Sequence, residues 1–265
     1  MQPHYAVLLK DLLHTTIGAA ASVALPPVKR FIILSSGRSG SNLLSSFMKS
    51  HPKVFQHGEI FGEFQLESPL VRRRINGAGL ARYLDRRLSR MTTEDAAGIK
   101  ILYHNLEAQY GKARGIPGTE MLMDHMRDSP TLRIVHLRRE DKLAMLISMR
   151  LATELGQWVS GSYGDTTVTL PVDWVRDQFT WLEGWETRIA AHFPSDQLLD
   201  MSYEQLVADT PGEMARVFEF LSLEAAPVSS RMSKQNKRSK AEAVENYAEL
   251  CEAFAGTPYA PMFET

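Results

Sequence analysis

A single cysteine, Cys251, in 265 residues leaves no room for an internal disulfide framework or a cysteine-based zinc cage, and it fits a reducing compartment. The chain also lacks an excess of either charge. Lys and Arg number 30 against 31 Asp and Glu, so no global field draws the protein to nucleic acid or to an anionic membrane, and any basic site has to be local. No apolar run approaches the ~20 residues of a transmembrane segment. No segment repeats with a period of ~20 to 50 residues, and neither a low-complexity tract nor a long linker divides the chain. What remains is ordinary globular composition, 44% hydrophobic and 23% charged, at a length that builds one α/β domain with a sizeable core.

The run Ile17-Gly-Ala-Ala-Ala-Ser-Val-Ala-Leu25 has the small apolar residues of a secretion signal. It follows Lys10, Asp11 and two histidines instead of a clean basic segment, and Pro26-Pro27 lead from it directly into a strand. Residues 1–29 therefore read as an N-terminal helical extension, with Val7, Leu8, Leu12 and Leu13 packed on a domain of residues 30–265. Four stretches read as strands: 30–35, 97–103, 132–137 and 197–202. The first and third are short and rich in Ile, Val and Leu, as strands buried on both faces of a parallel sheet are.

Helical patterns fill the gaps between the strands. Thr210-Pro-Gly-Glu213 and Ser239-Lys-Ala-Glu242 read as capping boxes. The second is followed by Val244, Tyr247, Cys251 and Phe254 at helical spacing, with Gly256 as the stop. Between Asp173 and Phe193, the side chains Trp174, Phe179, Leu182, Trp185 and Ile189 form one apolar stripe. Strands alternating with helices predict a three-layer α/β sandwich around a central parallel sheet.

The sharpest local feature is Phe31-Ile-Ile-Leu-Ser-Ser-Gly-Arg-Ser-Gly-Ser-Asn-Leu-Leu-Ser-Ser-Phe-Met48. A strand enters a loop with Gly37 and Gly40 and leaves it as a helix that carries Leu43, Leu44, Phe47 and Met48 at core spacing. Backbone N–H groups of residues 38 to 43 and a helix N-terminus then converge, which is how oriented dipoles hold a phosphate. Arg38 adds charge, Ser39 and Ser41 add hydroxyls, and Gly40 lets the backbone come close. Nothing in the chain matches G-x-x-x-x-G-K-[ST], which weakens an NTPase reading.

Ser36-Gly-Arg-Ser-Gly-Ser-Asn-Leu-Leu44 resembles the 5′-phosphosulfate loop of sulfotransferases that use 3′-phosphoadenosine-5′-phosphosulfate (PAPS). His51-Pro-Lys-Val-Phe-Gln-His-Gly-Glu-Ile-Phe61 is similar to the bacterial carbohydrate branch, which includes nodulation-factor and trehalose sulfotransferases. Ile134 to Ser148 resembles the family's 3′-phosphate motif, an Arg that ends a strand and a Ser on the next helix. Tyr203-Glu-Gln-Leu206, Phe220-Leu-Ser-Leu223, Lys234-Gln-Asn236 and Glu245 to Leu250 follow in the family's order. The resemblance spans roughly residues 30 to 255 and implies a P-loop-like fold. It also has departures. Arg38 stands where many eukaryotic members have the lysine of Pro-Lys. Ser148 lies nine residues after Arg139 and ten after Arg138, outside the usual seven or eight, so either arginine could hold the 3′-phosphate. Ser233 to Ser239 replaces the Gly-rich basic stretch of cytosolic members.

The resemblance implies PAPS as sulfuryl donor, no metal, and in-line transfer to a hydroxyl of a carbohydrate or glycolipid. Gly37, Arg38, Ser39, Gly40, Ser41 and Asn42 would hold the 5′ end. Arg138 or Arg139 with Ser148 would hold the 3′-phosphate, Tyr203 would border adenine, and Lys234 and Lys237 would close over the phosphates. Arg38 and Glu59 are the catalytic candidates, Arg38 for charge on the departing phosphate and Glu59 as general base, with His57 and His104 as runners-up. Lys100, in mid-strand, is either an ion-paired inward charge or a contact to the sulfuryl group. Between Arg72 and Arg90 seven arginines accompany one acid, Asp85; this stretch reads as a solvated helix face or as an acceptor-side surface for an anionic glycan or lipid headgroup. Five cations without an acid lie between Arg231 and Lys240. The rival readings are a P-loop kinase using ATP and a non-catalytic phosphoadenosine- or anionic-glycan-binding module.

Overall fold

In the computed structural model, residues 9, 11–13, 16, 27–89, 93–158, 162–232 and 238–264 are described. Five parallel strands form one sheet: β1 (Lys29–Ser35), β2 (Val54–Glu59), β3 (Ala96–Leu102), β4 (Leu132–Arg138) and β5 (Leu198–Ser202), in the order β2-β3-β1-β4-β5. The helices are α1 (Ser41–Ser50), α2 (Glu63–Leu66), α3 (Pro69–Ala78), α4 (Leu80–Arg87), α5 (Ala108–Ala113), α6 (Leu122–Arg127), α7 (Lys142–Leu155) and α8 (Val172–His192). Beyond β5 come α9 (Tyr203–Ala208), α10 (Thr210–Phe220), α11 (Lys240–Ala243) and α12 (Tyr247–Phe254).

β1 is central because Phe31 to Leu34 are fully buried and alternate between two cores. Ile32 and Leu34 face one layer with Leu146, Leu151, Phe179 and Ile189, while Phe31 and Ile33 face the other with Leu44, Met48, Val217 and Phe218. α1 therefore covers one face and α7 the opposite face, although β1 and β4 lie side by side. The chain reverses its direction of winding between these strands, and their carboxyl ends open a crevice there. The expected three-layer parallel architecture is the one found. Among the described residues no helix is long and apolar enough to cross a membrane.

Several local expectations are corrected. β2 did not stand out in the sequence, since only Val54 and Phe55 precede a polar Gln56-His57-Gly58-Glu59. The N-cap of α10 is Asp209, whose carboxylate accepts from Gly212 N, and Thr210 is already helical. Ser239 and Glu242 do form the reciprocal capping box, but the helix they open stops at Ala243; Val244 is extended and bridges to Val168 before α12 begins. In the N-terminal segment Leu12 and Leu13 are exposed, and the buried side chain is Asp11; Val7 and Leu8 lie outside the described residues.

Candidate active site

At the carboxyl ends of β1 and β4 lies a cavity of about 460 Å³. Its floor is the loop from Arg38 to Leu43, its far wall Arg139, Ile147 and Ser148, and its rim Tyr203, Arg238, Lys240 and Tyr247. Arg38 and Gly40 both have left-handed backbone, with φ of 62° and 92°. A Cβ on Gly40 would lie 3.0 Å from Cε2 of Tyr203 and closer still to Cδ2, so glycine is required both by the turn and by the ring packed on it. Gly40 caps α1 without any side-chain hydrogen bond and no acid stands in the first turn, so the first N–H groups of α1 remain available at the cavity floor. Ser41 and Asn42 line the cavity. Ser39 does not: it is fully buried and its hydroxyl donates to the Ser36 carbonyl at 2.9 Å, while Gly37 shapes the turn from behind.

Arg38 is held by three acceptors: Ser148 Oγ at 3.0 Å from Nε, the Trp158 carbonyl at 2.7 Å and the Tyr163 hydroxyl at 2.7 Å. Burial lowers its pKa from the ordinary arginine value; Tyr163 opposes this and the nearby charge of Arg139 adds to it. Such a guanidinium gains from any anion that enters the cavity. Ser148 thereby joins the loop to the helix after β4.

The two neighbouring arginines part ways because successive residues at a strand end point to opposite sides. Arg138 turns away from the cavity and grips Asp200 of β5 with Nε and a terminal nitrogen, at 2.7 to 3.0 Å. Arg139 lines the cavity, donates to the Arg38 carbonyl at 3.1 Å and stands 4.8 Å from the centre of the Tyr203 ring. Its Nε is buried without a hydrogen-bond partner among the described residues, 4.0 Å from Glu204. Of the cluster between Arg231 and Lys240, Arg238 and Lys240 reach the rim, where Lys240 pairs with Asp141 at 2.9 Å and donates to the Met262 carbonyl at 2.6 Å. Lys234 and Lys237 lie outside the described residues.

Glu59 sits at the end of β2, two strands from β1 with β3 between them. Its Oε1 is 2.8 Å from Nζ of Lys100, which is 4% exposed and also donates to Asn42 Oδ1 at the start of α1. Lys100 is thus ion-paired and inward, and it ties Glu59 to the loop. His104 is half-buried, and desolvation holds its pKa below the ordinary histidine value with the charge of Glu59 opposing. His57 shares a separate small hollow with Glu59.

Sequence reading missed Tyr163, Tyr247 and Asp141 at the donor cavity, and Asp11 on the Glu59 side. Tyr163 is an aromatic with no motif around it, and Tyr247 lies in a matching stretch, Glu245 to Leu250, but reads there as a core position at helical spacing. Asp141, two residues after Arg139 and four before the buried Met145, had a readable N-cap signal, and its carboxylate accepts from Ala144 N at 2.9 Å.

Comparison with known proteins gives the family. A family profile described as the Sulfotransferase family matches residues 30–227. Nodulation protein H of Rhizobium tropici is 27% identical over 248 residues, covering 91% of this chain and 95% of that protein. Nodulation protein H of Rhizobium meliloti (strain 1021) is 26% identical over 252 residues, covering 91% and 96%. A sulfotransferase crystal structure from Alicyclobacillus acidocaldarius superposes with a TM-score of 0.52 at 15% identity over 91% of this chain and 98% of that one, a likeness of fold. With three quarters of its length matched by the profile, this chain belongs to the sulfotransferase family and is a transferase that takes PAPS as its sulfuryl donor.

Proposed function

We propose that the protein transfers a sulfuryl group to a hydroxyl of a carbohydrate or glycolipid, with Glu59 as general base. The observation that carries this reading is the Glu59–Lys100–Asn42 chain, which joins a carboxylate to the first turn of the helix at the cavity floor. The cavity suits an anionic nucleotide: Arg38, Arg139, Arg238 and Lys240 outnumber the acids Asp141 and Glu264 on its walls, and the buried Nε of Arg139 has no hydrogen bond among the described residues. When bound, PAPS supplies the sulfuryl group. Arg139 and Ser148 hold the 3′-phosphate, the α1 amides with Ser41 and Asn42 hold the 5′ end, and Arg38 offsets the charge that builds on the departing phosphate. Tyr203, packed on Gly40 and Arg139, borders the adenine. Lys100 holds Glu59 in place, so that the carboxylate takes the proton of the attacking hydroxyl.

The acceptor class rests on the resemblance of residues 51–61 to the bacterial carbohydrate branch and on relatives whose name refers to nodulation. Division into a helical extension, 1–29, and a transferase domain, 30–265, belongs to the same reading, as does a cytoplasmic site of action, which the lone cysteine supports. Calorimetric titration with 3′,5′-ADP, the desulfated product, against ATP tests it. Tight binding of 3′,5′-ADP with none of ATP is expected; the reverse would restore the kinase reading.

A further inference from the structure

The arginine-rich stretch on α3 and α4 meets the hollow beside Glu59 at one place, and a carboxylate from the N-terminal segment is already seated there. Asp11, only 3% exposed, accepts from Arg87 at 2.9 Å and from the Tyr83 hydroxyl on one oxygen, and from Arg74 Nε at 2.7 Å on the other. Arg87 is itself buried, and its second terminal nitrogen lies 3.4 Å from Nδ1 of His57. Asp11, Tyr83, Arg87 and Glu59 all line the same hollow of about 90 Å³.

Two guanidinium groups and a phenol hydroxyl converging on one point are the donors that a uronate carboxylate or a sulfate ester would need. Asp11 satisfies all three. Each buried cation at this end of the sheet then has its own carboxylate, Arg87 with Asp11 and Lys100 with Glu59. An anionic substituent entering the hollow would either displace Asp11 from three charge-assisted or hydroxyl donors or lie against two carboxylates, and both are costly out of water. An uncharged hydroxyl meets neither penalty.

We propose that Asp11 determines specificity: by closing the Arg74, Tyr83 and Arg87 cradle it restricts the acceptor side of Glu59 to uncharged sugar hydroxyls, and it excludes acceptors that present a carboxylate or sulfate there. This rests on the reading that Glu59 faces the acceptor. Asp11→Asn keeps the shape and removes the charge. Calorimetric binding of sodium glucuronate and of methyl glucoside to the full chain, without donor and at constant ionic strength, reads the effect. Wild type should bind glucuronate no better than methyl glucoside. The Asn variant should bind glucuronate about tenfold tighter than wild type does, with methyl glucoside unchanged. The double variant Asp11→Asn/Arg87→Gln, with charge balance restored, should lose that gain.

Wild type that prefers glucuronate, a single variant that gains nothing, or a double variant that keeps the gain would each overturn the proposal. If the single variant does not fold, wild type and the double variant carry the test, and a preference for glucuronate in either one overturns it. No transfer takes place in these measurements, so an error in naming Glu59 as the base leaves their outcome untouched.

Discussion

Oε1 of Glu59 and Nζ of Lys100 lie 2.8 Å apart because β2 carries one extra residue just before its end. Gln56 pairs with Gly98, yet it is Glu59, not Gly58, that pairs with Lys100, across a register shift at Gly58, whose φ is 82°. Side chains on a strand alternate between faces, so without the extra residue Glu59 would point to the opposite side of the sheet. The bulge is what brings a carboxylate to the face that α1 and the loop before it occupy.

Glu59→Gln preserves shape and the hydrogen bond to Lys100 but cannot accept a proton. Sulfuryl transfer should fall by ~10²-fold or more while the affinity for 3′,5′-ADP stays within error, read by steady-state kinetics and calorimetry on one preparation. Unchanged turnover would remove Glu59 from the mechanism.

Gly58→Ala probes the bulge itself. A Cβ at this position meets nothing within 4 Å, so the effect is one of backbone alone. A left-handed alanine costs roughly 1 kcal/mol, and relief of that strain moves Glu59 off Lys100. Transfer should drop by about tenfold with a melting temperature lowered by only a few degrees. Wild-type activity in this variant would mean that the register near Glu59 is immaterial.

The arginine pair separates cleanly. Removing the cavity-lining guanidinium in Arg139→Ala should weaken 3′,5′-ADP by about 10²-fold, the size of one or two charge-assisted hydrogen bonds. Arg138→Ala should leave that affinity nearly unchanged and show its effect in thermal stability, since its partner is Asp200. Equal losses of affinity from both would contradict the division of roles.

Stability should depend on acid through Asp200. Burial by itself would raise the pKa of this carboxyl, but hydrogen bonds and charge from His136 and Arg138 outweigh it and hold the pKa far below the usual carboxylate range. His136 Nδ1 lies 2.7 Å from Asp200, and its Nε2 lies 2.7 Å from the Tyr103 hydroxyl. A carboxyl depressed in the folded state stabilises the fold fully above its unfolded value near 3.8 and loses that contribution as the pH falls below it. Asp200 is 43% exposed, so solvent screening keeps the effect modest. Urea midpoints measured from about pH 6 down to about pH 2 should fall more steeply for wild type than for Asp200→Asn. Parallel curves would show that this ion pair adds nothing.

Much of this was written in the amino-acid order. Phe31 to Leu34 and Ile134 to Leu137 could only be buried strands, since apolar runs of that length between turn residues have to hide both faces. Gly37 to Asn42 between a strand and an amphipathic helix announced a tight turn onto a helix start, because the glycines and the helix start lie within a few residues of one another. The stripe from Trp174 to Ile189 fixed the long helix for the same reason: its period is local.

What the order of residues could not decide were contacts between distant segments. Arg138 and Arg139 are chemically identical neighbours, and only the arrival of Asp200 on β5, 62 residues later, assigns one to an ion pair and leaves the other to the cavity. β2 escaped notice because its polar half owes its extended shape to pairing with β3, and its bulge exists only in that pairing. The local pattern of the N-terminal segment puts Leu12 and Leu13 on the domain and gives Asp11 no partner. It is buried instead because two arginines and a tyrosine from α3 and α4 surround it, and the free energy of desolvating a charge depends on partners that no local pattern reveals.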